Sequence, residues 1–444
     1  MIEPKTLPGF MELSPIDQIK FNQMRETIQH SYERFGFLPL DTPIIELSEV
    51  LLAKAGGETE KQIYRFTKGE SDLSLRFDLT VPLAKYIAEY YNDLVFPFKR
   101  YQIGKVYRGE KAQKGRYREF YQCDIDIIGD GELSIINDAQ MPSIIYNTFK
   151  DLGFDNFTIS INNRKILNGL FKSLNLAENS TEIMRIIDKF EKIGFNAVKT
   201  ELEELGIEET SVESIMNFIS IEGTVDEKLK SLNSFNVTDE IFKQGVQELT
   251  DVVKYMRILG MPEDYFTIDL KIARGLDYYT GTVYETFLND YRKLGSICSG
   301  GRYDNLAEFY TDKKLPGVGI SIGLTRLFYQ LSQIDAIKVK KNAISDVLVI
   351  PMSTQELDAS LKVASLLREA KINTDVYLED SKIKKKMKYA DKWNIPYVVI
   401  IGEDEIKTEL YTLKNMQTGE QESLLVEDII KKCVWNVNVS LFSL

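Results

Sequence analysis

The sequence predicts a chain of mixed α+β class, and three stretches predict it. Residues 98–129 read as a strand hairpin with a charged mouth, residues 163–260 as one amphipathic helix after another, and residues 344–444 as short apolar strands alternating with helices. The chain of 444 residues has room for about three domains of ordinary size. Its 43% hydrophobic and 27% charged content is that of a soluble globular protein. No apolar run reaches membrane-spanning length, and the opening MIEPKTLPGFMELSP has neither an export core nor an Arg-rich presequence. The expected location is therefore the cytoplasm, with no membrane partner.

Composition also excludes some chemistry. Cys123, Cys298 and Cys433 stand far apart, so neither a disulfide framework nor a zinc site is expected, and no protein-held metal is assigned. His30 is the single histidine and lies in a helical pattern, which removes any His-based triad. A net charge of -12 argues against indiscriminate nucleic-acid binding while leaving room for a local basic face.

In chain order, Ile16, Ile19, Met24, Ile28, Tyr32 and Phe35 recur at helical spacing and Gly36 supplies a stop. Pro39 and Pro43 hold the following FLPLDTPIIEL extended; helix and extended piece together fit either a dimer interface or a simple core. In SLRFDLTVPLAKYIAEYY, Arg76, Asp78 and Thr80 are expected on one strand face with Leu75, Phe77 and Leu79 on the other, before a helix with Pro82 in its first turn. Asp78 and Thr80 suit a surface row, or the grip on an ammonium group.

The hairpin is expected as strands at 100–107 and 118–128, with Gly115 in the loop. Alternation puts Tyr121, Cys123, Ile125 and Ile127 on an apolar side and Gln122, Asp124 and Asp126 on a polar one. Arg108, Glu110, Lys111, Lys114, Arg116 and Arg118 crowd the loop, a density that fits a polyphosphate seat as well as a solvated tip. The 163–260 helices carry no visible chemistry and their charges read as solvated. At 265–288, Phe266, Ile268, Leu270 and Ile272 alternate as a strand; Arg274 and Gly275 then break the run, at a hairpin corner or a cleft wall. Gly317 and Gly319 introduce a short strand, and Gly323 opens a helix with Arg326 in its first turn, an end that favours anions. In the last unit, DVLVI, TDVYL and YVVII read as buried strands and 356–370 and 381–393 as helices. Lys382, Lys384, Lys385, Lys386 and Lys388 form a basic run there, suited to a solvated face or to a phosphate backbone.

VYRGEKAQKGRYREFYQCDIDIIG, RGLDYYTGTVYE, and GGRYDNL with GVGISIGLTRL together resemble histidyl-tRNA synthetase, a class II aminoacyl-tRNA synthetase family, and the resemblance spans essentially the whole chain. It implies an antiparallel sheet flanked by helices, with the catalytic core in residues 1–162 and 261–333, a helical insertion at 163–260, an anticodon-binding domain at 344–444, and a homodimer formed through the N-terminal region. The implied reaction joins L-histidine to ATP as histidyl-adenylate, then moves the histidyl group to tRNA(His), with Mg2+ on the triphosphate.

By matching position, Arg108 resembles the arginine on the α-phosphate and the amino-acid carboxylate. Glu110 would contact adenine, Arg116 the outer phosphates and Arg326 the triphosphate. Arg274 resembles the arginine peculiar to the histidine enzymes, near the α-phosphate. Asp78, Thr80 and Gln122 would surround the α-amino group, Asp126 and Tyr279 the imidazole, with Tyr278 and Tyr303 also at the histidine end. Lys384, Lys385 and Lys386 are the candidate tRNA contacts. The chain departs from many bacterial relatives in carrying Asp78-Leu79-Thr80 for Glu-Gly-Thr, and Asp126 for Glu. Competing readings are the synthetase-like regulatory subunit of ATP phosphoribosyltransferase, which generally lacks the C-terminal domain, and a class II synthetase for another amino acid, against which RGLDYYTGTVYE speaks.

Overall fold

The structure, a computed structural model, describes residues 1–53, 58–111, 115–272, 279–337 and 343–433. By contacts the chain divides into two compact units, Met1–Met11 with Arg25–Ala336, and Glu12–Met24 with Ile337–Leu444. No helix among the described residues is long and apolar enough to cross a membrane.

The first unit is built on an eight-stranded sheet. Across it the strands run Leu38–Pro39, Phe98–Tyr107, Glu119–Ile128, Gly317–Ile322, Cys298–Tyr303, Thr282–Leu288, Phe157–Asn163 and Phe266–Ile268. The six central strands pair antiparallel; only the two short outer strands pair parallel with their neighbours. The hairpin is therefore part of the sheet, supplying its second and third strands, rather than a projecting arm, because Glu119–Ile128 receives Gly317–Ile322 along its far edge. Of its apolar row, Cys123, Ile125 and Ile127 are fully buried and Tyr121 is half-buried. The Tyr32 hydroxyl donates to the Cys123 carbonyl at 3.0 Å, and Ser31 meets Thr148 of the helix Ile136–Asp151 at 2.8 Å, so helices roof this side. The opposite side carries the polar row and stays open.

Six helices fill the stretch between Asn163 and the Phe266–Ile268 strand: Arg164–Ser173, Ser180–Ile187, Phe190–Glu204, Glu209–Ile219, Val225–Ser234 and Glu240–Ile258. Polar caps mark several of their starts: the Asn163 side chain accepts from Lys165 N, the Asp239 side chain from Ile241 N and Phe242 N, and Thr224 with Glu227 forms a capping box. Glu240–Ile258 lies close against Arg164–Ser173 because each offers a glycine at the crossing; a Cβ on Gly245 would stand 2.8 Å from Ile166 N, and one on Gly169 would collide with Phe242.

The second unit holds a five-stranded sheet ordered Thr374–Val376, Val347–Pro351, Tyr397–Ile401, Tyr411–Asn415, Gln421–Leu424. Its first three strands are parallel and the last two antiparallel. Leu357–Glu369 packs Val363, Ala364 and Leu367 against Val347 and Val349, whereas Ile383–Lys392 sets Ala390 against Leu348 and Ile350. Strand alternation thus feeds both faces, as expected of a small α/β unit.

Two expectations need correction. The strand predicted through Arg76, Asp78 and Thr80 stops at Leu75, and Thr80 already begins the helix Thr80–Glu89. Asp78 Oδ1 accepts from Thr80 N and Val81 N at 3.2 and 2.9 Å, so its side chain closes the helix start instead of standing in a strand row. The run from Phe266 is a strand only to Ile268, although Leu270 and Ile272 remain buried.

A buried ion pair ties the Ile136–Asp151 helix to the sheet. Arg302 Nε and Nη2 donate to Asp138 at 3.0 and 2.6 Å, and Arg302 Nη2 also reaches the Leu133 carbonyl. Removing one partner leaves a buried charge uncompensated. Asp138→Ala is expected to lower unfolding free energy by about 3–5 kcal/mol, read as an earlier urea midpoint by circular dichroism; an unchanged midpoint would refute this.

Candidate active site

The open polar face of the sheet forms the floor of a cavity of about 460 Å³, lined by Asp78, Thr80, Arg108, Gln122, Asp126 and Arg326 among others. That volume lies in the range of small-molecule sites. Register builds the floor. Arg100, Asp126, Gly319 and Gly301 lie directly opposite one another across four strands, and Gln102, Asp124, Ser321, Ser299 and Glu285 form the next row across five.

The deep end is acidic and buried. Asp126 Oδ1 accepts from the Tyr303 hydroxyl at 2.6 Å, and its Oδ2 stands 2.7 Å from Nη2 of the wholly buried Arg100, an ion pair not aligned as a hydrogen bond. Burial raises the Asp126 carboxyl pKa, opposed first by Arg100 and then by the Tyr303 hydrogen bond. Burial also raises Asp78, against the Val81 N–H and Arg108. Asp124 is pushed up to about 7 by burial, with Asp126 and Asp78 reinforcing the shift and Arg100 and Ser321 opposing it. Gln122 Nε2 donates to Ser321 Oγ at 2.6 Å, which leaves its buried Oε1 without a hydrogen bond among the described residues.

Glycines make this end possible by lacking side chains. A Cβ on Gly319 would overlap the Asp126 carboxylate, one on Gly317 would overlap the Tyr303 ring, and one on Gly301 would stand 2.9 Å from Tyr279 Cδ1. Gly317 and Gly319 had been expected only to introduce a strand; their place in the site is steric.

The mouth is cationic. Arg108 lies between two rings, its guanidinium carbon 4.3 Å from the Phe77 centroid and 5.1 Å from that of Phe120, while Nε donates to the Phe77 carbonyl at 3.2 Å. Arg116 and Glu110 pair at 3.7 Å beside Gly115, whose φ of +76° shapes the loop. Arg326 lies in the first turn of Leu324–Ser332, and Thr325 Oγ1 accepts from Tyr121 N at 2.8 Å, which anchors that helix start on the hairpin. Guanidinium groups at one end and buried carboxylates at the other suit a ligand with an anionic and a cationic part.

Of the residues predicted for a site, Asp78, Thr80, Arg108, Glu110, Arg116, Gln122, Asp126, Tyr279, Tyr303 and Arg326 line this one cavity. Arg274 and Tyr278 lie outside the described residues. Lys384 and Lys385 are exposed on the Ile383–Lys392 helix of the second unit. Lys386 belongs elsewhere: it is 2% exposed and donates from Nζ to the Pro351 carbonyl at 2.7 Å, so its charge is held inside the fold. Sequence reasoning missed Arg100, Asp124, Ser321 and Glu285 as site residues. Asp124 carried a signal, since it stood in the recognised polar row; the other three became visible only through pairing register.

Asp124 gives a stability prediction. With a folded pKa near 7 against 3.8 for the ordinary group, it keeps a proton that the unfolded chain has already lost; its contribution is fully present below pH 3.8 and is lost as pH rises through 7. Asp124→Asn is therefore expected to be more stable than the parent at pH 8, by a few kcal/mol at most, and nearly equal to it at pH 4, measured by denaturant titration at both. A constant difference between the two pH values would contradict this.

Comparison with known proteins bears on what such a cavity serves. A family model described as histidyl-tRNA synthetase matches residues 9–327, and one described as anticodon binding domain matches residues 346–435. A histidine–tRNA ligase of Clostridium tetani is 61% identical over 432 residues, covering 97% of this chain and 98% of the relative; one of Finegoldia magna is 49% identical over 97% of this chain and 100% of the relative. The crystal structure of a histidyl-tRNA synthetase from Nostoc sp. PCC 7120 superimposes with a TM-score of 0.90 at 42% identity, covering 98% of this chain and 100% of that one. A Bacillus halodurans protein described as an ATP phosphoribosyltransferase regulatory subunit/histidyl-tRNA synthetase shares the fold at 20% identity and a TM-score of 0.73, over 87% of this chain. With its charged hairpin built into a mainly antiparallel sheet and near full-length similarity to these ligases, the chain belongs to the histidyl-tRNA synthetase family.

Proposed function

We propose that the chain activates L-histidine with ATP, forming histidyl-adenylate and pyrophosphate, and then transfers the histidyl group to tRNA(His). The observation that carries this reading is the division of one cavity into a guanidinium-lined mouth and a carboxylate-lined end. Activation needs no protein nucleophile, because the histidine carboxylate itself attacks the α-phosphorus; the protein contributes alignment and charge stabilisation.

In this reading Arg108 binds the α-phosphate and the histidine carboxylate, with Phe77 and Phe120 limiting its freedom. Glu110 contacts adenine, while Arg116 and Arg326 take the outer phosphates. Arg274 offsets charge as the α–β bond breaks. Asp78, Thr80 and Gln122 hold the α-ammonium, and Asp126, Tyr278, Tyr279 and Tyr303 the imidazole end. A buried polar site of this kind can reject amino acids lacking matching hydrogen bonds by about 10⁴-fold.

Among the described residues no group of three or more His, Cys, Asp or Glu is placed to hold a metal ion. Magnesium would instead arrive on the triphosphate, for which Glu285 in the same cavity is a suitable oxygen donor. Bound there, it would neutralise phosphate charge.

Residues 1–162 and 261–333 form the catalytic core in this scheme, 163–260 the insertion and 344–444 the anticodon-binding domain, in a cytoplasmic homodimer. The exposed apolar Leu38, Ile45 and Leu47 near the N-terminus are consistent with a covered face. The regulatory-subunit alternative is less favoured, since the anticodon-domain match occupies residues 346–435.

ATP–pyrophosphate exchange across the twenty amino acids tests the assignment: histidine alone should support it, and exchange driven by another amino acid, or by none, would refute it. Gly319→Ala should raise the histidine KM at least tenfold with little change for ATP, because the new methyl takes the space of the Asp126 carboxylate. An equal fold-change in both KM values would show that the glycine serves the strand only. Lys384→Ala with Lys385→Ala is expected to weaken tRNA charging several-fold while exchange stays near normal; unchanged charging would leave these lysines as a solvated face.

A further inference from the structure

The acidic end of the cavity holds one more carboxylate than these roles use. Asp124 lies on the floor between Gln122 and Asp126, is 2% exposed, and has in Oδ1 a buried oxygen without a hydrogen bond among the described residues. We propose that Asp124 is a further substrate-contacting residue, whose Oδ1 accepts an N–H from the α-ammonium group of the bound amino acid. The proposal rests on the histidine-activating reading of the site.

Position supports it first. Gln122, Asp124 and Asp126 share one strand face, and alternate residues stand about 7 Å apart along a strand. An amino acid held at its α-amino end by Gln122 and at its ring end by Asp126 has to pass over Asp124. The carboxyl is also braced: the Ser321 hydroxyl hydrogen-bonds it from the adjoining strand, and Gln102 lies opposite it on the other side.

Charge supports it second. The charged and titratable groups around Asp124 are Asp126 and Cys123 on its own strand, Arg100 across the hairpin, Asp78 before the Thr80–Glu89 helix, and Arg76, Tyr32 and Cys298. Neither guanidinium is given over to Asp124. Arg100 stands 2.7 Å from Asp126, and Arg76 donates to the carbonyls of Lys105 and Thr42 at 2.7 and 2.5 Å. Burial with two neighbouring acids pushes the Asp124 carboxyl up to about 7, so near neutrality the empty site retains part of a proton. An arriving ammonium supplies the missing positive charge and favours the carboxylate. The step balances as a protonated Asp124 plus a substrate ammonium giving a carboxylate–ammonium pair, with one proton passing to solvent; no covalent bond other than the O–H is broken.

The experiment uses the full-length protein and its Asp124→Asn variant. Histidine and ATP KM values are measured by pyrophosphate exchange. Proton release at pH 7 is measured by calorimetry in two buffers of different ionisation enthalpy, with L-histidine and with imidazolepropionate, which keeps the ring and carboxylate but lacks the amino group. Asp124→Asn is expected to raise the histidine KM about tenfold to a hundredfold, to leave the ATP KM within about twofold, and to affect imidazolepropionate binding little. In the parent protein, histidine should release more protons than imidazolepropionate, and the variant should lose that excess. An unchanged histidine KM, or equal weakening of histidine and imidazolepropionate, would overturn the contact. The parent alone keeps the proposal testable if the variant fails to fold, since equal proton release by the two ligands would refute it. Absence of histidine-dependent exchange in the parent would instead remove the functional reading.

Discussion

A row of acids facing inward from an interior strand of a sheet is the constraint on which the rest of the first unit depends. Asp124 and Asp126 occupy a central strand, paired on both edges, so neither can turn to solvent without breaking the sheet. The fold answers with a few placed groups: Arg100 in register opposite Asp126, Tyr303 reaching across to it, and glycines at 317 and 319 that leave room for both. The opposite side of the same strand buries Cys123, Ile125 and Ile127 completely. One strand therefore carries core on one face and chemistry on the other, and a one-residue slip in pairing would exchange them.

Such a floor is costly to maintain without ligand. Burial raises the pKa of Asp78, Asp124 and Asp126 alike, which means that the folded site disfavours their charged forms. The cost is offset by ordinary packing elsewhere: a large apolar core under the sheet, the Arg302–Asp138 pair joining helix to strand, and helices closely packed through Gly169 and Gly245. Stability in one part of the unit thus permits a strained electrostatic arrangement in another.

Much of this could be read from the residues because period and turn chemistry are local. The hairpin strands, the helix ended by Gly36, the helices of 163–260 and the three apolar strands of the last unit all follow from patterns spanning fewer than about twenty residues. What escaped was either non-local or decided by a cap. Arg100 looked like an ordinary strand residue until pairing set it against Asp126. Asp78 looked like part of a strand row because alternation continued past Leu75; its bonds to Thr80 N and Val81 N show that the helix start won. The Tyr411–Asn415 and Gln421–Leu424 strands went unread since they are polar and lie towards a sheet edge, where the apolar alternation is weak. Lys386 shows the limit of charge counting, for three adjacent lysines on a helix cannot all face one way, and the inward one finds a carbonyl.

The shorter acid at position 126 follows from the same geometry. Its carboxylate already fills the space above Gly319, with one oxygen on Tyr303 and the other beside Arg100. A glutamate there would carry its charge one methylene further and lose at least one of those partners unless the Tyr303 ring moved, and that ring is itself packed over Gly317. The aspartate, the two glycines, the tyrosine and the buried arginine are consequently one steric and electrostatic unit. Adding a side chain at either glycine leaves an overlap, removing one of the two charged partners leaves a buried charge uncompensated, and removing the Tyr303 hydroxyl takes a hydrogen bond from Asp126 Oδ1.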